Sequence, residues 1–253
     1  MVAESSLPTV YAAFTEALRA RLADDPRVLG LVAVGSMANR DYAPDAWSDH
    51  DFFVIAPEPE TLRNDLSWLP EPQRIALSFR ETEHGVKVVY DDGHLLEFAV
   101  FDLEELAVAG VNRYRVLLDR GGVEERVAAL HTEPHGDEWL FGMFVTGALV
   151  AYGRARRGEL LSASFFVVQT LRHLTALVGD APILDDLDPL RRFERAYPEL
   201  GSELASIVRR SPAVAAVALL DVGERELRER RPELGWAGFD AVSGTIKRAV
   251  ASG

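Results

Sequence analysis

A valine-rich run, Val28-Leu29-Gly30-Leu31-Val32-Ala33-Val34, ends at Gly35-Ser36, and about a dozen residues later Asp49-His50-Asp51 opens a second apolar run, Phe52-Phe53-Val54-Ile55. Each run has the length and the β-branched or aromatic content of a buried strand. A strand sends alternate side chains to opposite faces, so Asp49 and Asp51 point the same way, roughly 6–7 Å apart at Cα. That spacing lets two carboxylates share a pair of divalent cations. Without a cation or another partner, two acids entering a buried strand are costly to desolvate. His50 points the other way, as a satisfied or rim-exposed histidine. At the end of the first strand, Gly35 lets the backbone approach a ligand closely. The Ser36 hydroxyl and the N–H groups that follow it can donate to phosphate oxygens.

Strand, Gly-Ser turn, polar spacer, Ser48-Asp49-His50-Asp51 and second strand together resemble the nucleotidyltransferases of the DNA-polymerase-β-like superfamily. The residues that carry the resemblance are Gly35, Ser36, Asp49 and Asp51, with Ser48 ahead of the acids. The chain departs from that pattern at His50, where the family usually places an apolar residue. The resemblance implies a third carboxylate on a neighbouring strand. Val86-Lys87-Val88-Val89-Tyr90 and His94-Leu95-Leu96-Glu97-Phe98-Ala99-Val100-Phe101 read as a β-hairpin closed at Asp91-Asp92-Gly93. Glu97 is the lone acid among apolar neighbours in the second of these strands, and a metal shared with Asp49 and Asp51 would satisfy it. The alternative is an edge-strand glutamate facing water. Asp91 and Asp92 fit turn chemistry.

What the resemblance implies is transfer of a nucleoside monophosphate from ATP or another NTP to an acceptor hydroxyl, with release of pyrophosphate. Two Mg²⁺ ions held by Asp49, Asp51 and Glu97 would assist in-line attack at the α-phosphate. Glu97 would complete a metal shell or accept the hydroxyl proton. The formal net charge of −13 bears on the acceptor. A nucleic-acid substrate calls for a basic surface, whereas an acidic field suits a cationic small molecule such as an aminoglycoside or another antibiotic. An alternative is an antitoxin-like enzyme that AMPylates a partner protein, and a third reading is a nucleotide-binding module without catalysis. The absence of cysteine excludes disulfides, thiolate zinc sites and cysteine nucleophiles. No apolar stretch reads as a membrane span and no secretion signal opens the chain, so a cytoplasmic monomer or homodimer is expected.

The fold class expected is α/β (α+β), a nucleotidyltransferase core with a mixed twisted sheet over 1–132, followed by an α-helical bundle over 133–253. Helical periodicity runs from Leu7 to Ala23 with Tyr11 and Phe14 on its apolar stripe. A short helix is expected around Glu60 to Trp68, and a last strand over Val116 to Asp119, with Asp119 forming the turn at Gly121-Gly122. His131-Thr132-Glu133-Pro134-His135-Gly136 reads as a connector. Beyond it, helices are expected over 137–157, 162–178, 187–197, 201–209 and 212–230. Arg157-Gly158-Glu159 and the string from Asp188 to Pro198 resemble the C-terminal domain of lincosamide and streptomycin-type nucleotidyltransferases. That resemblance implies that this half contributes to the acceptor pocket. Arg154, Arg156 and Arg157 either reach the triphosphate or form a solvated basic helix end.

Overall fold

In a computed structural model of the protein, the described residues are 7–38, 44–45, 47–111, 113–130, 135–181, 184 and 187–252. The chain divides into two compact units, Met1–Thr132 and Glu133–Gly253.

The first unit is built on a six-stranded mixed sheet in the order β3-β4-β5-β2-β1-β6. Its strands are β1 (Gly30–Val34), β2 (His50–Ile55), β3 (Ile75–Arg80), β4 (Gly85–Tyr90), β5 (Leu95–Phe101) and β6 (Tyr114–Asp119). β2 and β5 pair in parallel, with Asp51 opposite Glu97 and Phe52 opposite Phe98. The other pairs are antiparallel. Both faces of the central strands are covered, which explains runs that are apolar throughout rather than alternating. On one face Phe52, Val54, Val88, Leu96, Phe98 and Val100 pack with Leu18 and Leu22 of α1 (Leu7–Asp24) and with Trp68. Phe52 and Phe98, opposite each other in register, stack at 5.0 Å. On the other face Val32, Ile55 and Phe101 pack with Leu106 and with Val123 and Val127 of α3 (Val123–Ala128).

The expected hairpin is present as β4 and β5, and Gly93 closes it at φ +85°, a left-handed conformation that suits glycine. The helix expected around Glu60 to Trp68 is shorter, α2 (Pro59–Asn64), with proline in its first turn. Asp119 forms the turn as expected: its two oxygens accept the backbone N–H groups of Gly121, Gly122, Val123 and Glu124. Strand β3 was not expected. It is an edge strand whose Leu77 and Phe79 stay about half exposed.

The second unit is helical: α4 (Asp137–Arg156), α5 (Leu160–Val178), α6 (Phe193–Ala196), α7 (Pro198–Ile207), α8 (Pro212–Leu227) and α9 (Trp236–Ala251). Phe144, Ala148, Leu174, Leu219 and Phe239 lie in its core, and Gly223 lets α8 approach Phe144 so closely that a Cβ there would meet the ring at 2.4 Å. The single helix expected over 187–197 is instead a short α6 preceded by Arg192 at φ +67°, and Pro198 starts a new helix, α7. α9 was not expected, although Trp236, Phe239, Ser243 and Ile246 carry helical spacing. α5 qualifies the expectation about membrane spans, since by length and composition it is apolar enough to cross one. Its buried side, including Val167, Leu171 and Leu174, forms part of the helical core. Of the expected connector, residues 131–134 lie outside the described ones, while His135 stacks on Trp139 at 3.8 Å.

Candidate active site

β1 delivers the chain to a 3-10 turn, Gly35–Ala38, at the end of the strand. Gly35 sits at φ +52°, and a Cβ on it would stand 2.3 Å from Asp51 Oδ2. Glycine is therefore required twice at this position, once for the left-handed backbone and once because the Asp51 carboxylate occupies the space of a side chain.

Asp49 immediately precedes β2, Asp51 is its second residue, and Glu97 lies across from Asp51 on β5. The pleat and the parallel register bring the three acids together: one carboxylate oxygen from each lies within 4.8 Å of the others, and all three side chains are half-buried. Among the described residues this is the group of His, Asp and Glu side chains able to converge on an ion. Three hard oxygen donors at this spacing fit Mg²⁺ or Mn²⁺, which take carboxylates and keep part of their water. Glu97 does not stand alone among apolar groups. Lys87, opposite it on β4, places Nζ 2.9 Å from Glu97 Oε1 and 3.0 Å from Glu81 Oε1. These contacts, Glu97 first, raise the Lys87 pKa and keep the ammonium charged.

Ser36 departs from its expected part. Its side chain is 2% exposed, and its hydroxyl donates to the Asp49 carbonyl at 2.8 Å rather than standing open toward a phosphate. Arg115, on β6 beside β1, donates from Nη2 to the Met37 carbonyl at 3.2 Å and so holds a guanidinium at this turn.

His50 is fully buried on the opposite face of β2. It stacks on Tyr11 at 3.8 Å, with Nδ1 2.7 Å from His94 Nε2 and Nε2 3.0 Å from Thr15 Oγ1. Thr15 donates its own proton to the Tyr11 carbonyl. With His94 Nε2–H donating to His50 Nδ1 and His50 Nε2–H to Thr15, every contact is satisfied by neutral rings. Burial, followed by the charge of His94, pushes the His50 pKa down to about 3. The expectation of a satisfied histidine holds, and the ring is sealed away from the acids.

In the second unit, Arg154 lies 4.6 Å over the Phe166 ring and bonds Ser162, and Arg157 pairs with Glu159 at 2.7 Å. Both are engaged within the helical unit. The sequence missed Tyr11, Lys87 and Arg115. For Lys87 a signal existed: it is one of two lysines in a chain with 25 arginines, and it sits one strand from the third acid.

No model of a known protein family matches the sequence, and no curated protein matches it. Solved structures do. A nucleotidyltransferase-like protein from Exiguobacterium sibiricum is similar at 12% identity, over 89% of this chain and 81% of that one, with a TM-score of 0.34. An aminoglycoside 6-adenyltransferase from Bacillus subtilis is similar at 10% identity, over 92% of this chain and 95% of that one, with a TM-score of 0.34. The CD-NTase CdnG from Bradyrhizobium diazoefficiens, solved in complex with GTP, is similar at 12% identity over 97% and 94%, with a TM-score of 0.32.

Proposed function

We propose that this chain is a metal-dependent nucleotidyltransferase that moves a nucleoside monophosphate from ATP or another NTP to a hydroxyl of a small molecule, with aminoglycosides and lincosamides as the first candidates. The observation that carries this is the convergence of Asp49, Asp51 and Glu97 within 4.8 Å, beside a glycine turn shaped around the Asp51 carboxylate. Bound by these acids, divalent cations neutralise the triphosphate and lower the pKa of the acceptor hydroxyl.

The chain's own residues divide the remaining work. The backbone N–H groups of the Gly35–Ala38 turn, with the Arg115 guanidinium tied to Met37, bind and orient phosphate oxygens. Asp49 and Asp51 fix the position at which charge develops. Lys87 holds Glu97 by Oε1 and so fixes the carboxylate beside Asp49 and Asp51. The acceptor oxygen bonds to the α-phosphorus, the bond from that phosphorus to the bridging oxygen breaks, and pyrophosphate departs. The hydroxyl proton passes to Glu97 or to solvent. Placement of the reactants and electrostatics supply most of the acceleration. The net charge of −13 disfavours a nucleic-acid acceptor, and a cytoplasmic enzyme would have the cellular NTP pool to draw on.

The test is a mass-spectrometric screen of purified protein with Mg²⁺, ATP and a panel of aminoglycosides and lincosamides. A nucleotide adduct on a compound, absent with Asp51→Asn, supports the proposal. A labelled protein band in lysate with no compound adduct would move the reading to the protein-modifying alternative.

A further inference from the structure

We propose that Tyr11, on α1 and outside the Gly-Ser and Asp-x-Asp segments, is a positioning residue of the acid site: together with Ser36 it clamps the main-chain carbonyl of Asp49 and so sets where the Asp49 carboxylate stands. The Tyr11 hydroxyl donates to the Asp49 carbonyl at 2.8 Å. Ser36 donates to the same oxygen, also at 2.8 Å, and the two hydroxyl oxygens are 3.0 Å apart. One carbonyl has two lone pairs, and here each is met by a hydroxyl from a different element, one from helix α1 and one from the turn after β1.

The position of Asp49 makes the clamp consequential. The residue stands immediately before β2, so the pleat that fixes Asp51 begins just after it. Tyr11 also holds the next residue, since its ring stacks on His50 at 3.8 Å with the planes 18° apart and its carbonyl lies 3.3 Å from His50 Nε2. A single side chain on α1 thus restrains two consecutive residues of Asp49-His50-Asp51. A carboxylate that must share a cation with two others within 4.8 Å gains affinity when its main chain is held in advance. The half-buried Tyr11 hydroxyl is spent on that task rather than on solvent.

This deepens the proposed function and rests on its metal site, so the test reads metal binding directly. The full chain is titrated with Mn²⁺ alone, free ion being followed by electron paramagnetic resonance, for the wild type, Asp49→Asn, Tyr11→Phe, Ser36→Ala and the double variant of the last two. Tyr11→Phe keeps the ring and its stacking and removes the donor. It is expected to weaken Mn²⁺ binding about three- to tenfold, the worth of one hydrogen bond, with an unchanged melting curve. Ser36→Ala is expected to act similarly, and the double variant to lose at least about tenfold. Mn²⁺ affinity within twofold of the wild type in both single variants overturns the inference, as does a lowered melting temperature with unchanged affinity. If Asp49→Asn binds Mn²⁺ as the wild type does, the metal site itself is wrong and the inference falls with it.

Discussion

The two faces of β2 put polar side chains to opposite uses within three residues. On one face Asp51 joins Asp49 and Glu97 in a half-buried group of three carboxylates, with the Lys87 ammonium on Glu97. On the other, His50 is fully buried between Tyr11, Phe14, Thr15 and His94, and its ring nitrogens face partners inside the fold. The acid face gathers like charges, which repel and destabilise unless a cation joins them. The histidine face gathers neutral donors and acceptors that are satisfied as they stand. The pleat separates the two roles, because neighbouring residues on a strand cannot reach the same side.

The largest effect should come from breaking the acid face. Asp51→Asn removes one of three converging charges while keeping its shape. Transfer activity should fall about a thousandfold or more, equivalent to about 4 kcal/mol of transition-state stabilisation. Thermal stability without added metal should stay equal or rise, because a like-charge repulsion disappears. Single-turnover rates and melting curves for the same sample test both halves. A large loss of stability would mean that Asp51 is structural and that the contrast between the faces is false.

The histidine face should appear in the acid limb of the stability profile. His50 has a folded pKa near 3, against about 6.5 in an unfolded chain. Between those values the unfolded state binds a proton that the folded state refuses, so the contribution of His50 is whole above about pH 6.5 and is lost as the pH falls toward 3. The slope is about 1.4 kcal/mol per pH unit, or about 3 kcal/mol between pH 6.5 and 4.5. His94, also lowered by burial, adds in the same direction. Urea unfolding across this window should show the slope shrink by about one proton in His50→Phe. An unchanged slope would mean that His50 is not buried neutral.

Much of this arrangement was legible because it follows from alternation. Asp49 and Asp51 declare a shared face by their spacing, Gly35 marks a strand end, and Glu97 stands out as an acid between apolar residues. What was not legible depends on contacts between distant segments. Tyr11 fits an apolar helix stripe, and periodicity does not say that its hydroxyl meets Asp49, 38 residues away. Ser36 was recognised at the turn, but its hydroxyl is committed to the fold. The second unit shows a different limit. The expected helix over 187–197 ran through Arg192, whose left-handed backbone is a tertiary outcome, whereas the proline that starts α7 was readable.

Gly35 is where the acid face meets the backbone, and Gly35→Ala tests how tightly. The new Cβ would need a left-handed conformation and would stand 2.3 Å from Asp51 Oδ2, so Asp51 or the turn must move. A destabilisation of about 2 kcal/mol is expected from backbone strain and overlap. Activity should fall further than that loss of folded protein explains. Chemical denaturation paired with activity per folded molecule separates the two. Normal activity in the folded fraction would show that the turn and Asp51 adjust independently.

Arg115 carries the smallest expected effect: paired with Ala33, which also pairs with Phe52, it stands on the α1 side of the sheet and meets the site only at the turn after β1. Its β6 position places it beyond β1, and its guanidinium reaches back to the Met37 carbonyl in the Gly35–Ala38 turn. If this turn grips the triphosphate, the guanidinium adds charge to a site whose other donors are backbone N–H groups. Arg115→Ala should raise the KM for NTP about fivefold, about 1 kcal/mol, while kcat changes less than twofold, because the contact serves ground state and transition state alike. Arg115→Lys should restore only part of it, since an ammonium lacks the planar fork that can hold a carbonyl and a phosphate together. A fall in kcat with KM unchanged would instead place Arg115 among the groups that stabilise the transition state. That result would bring the turn after β1, and the guanidinium that holds it, into the reacting group.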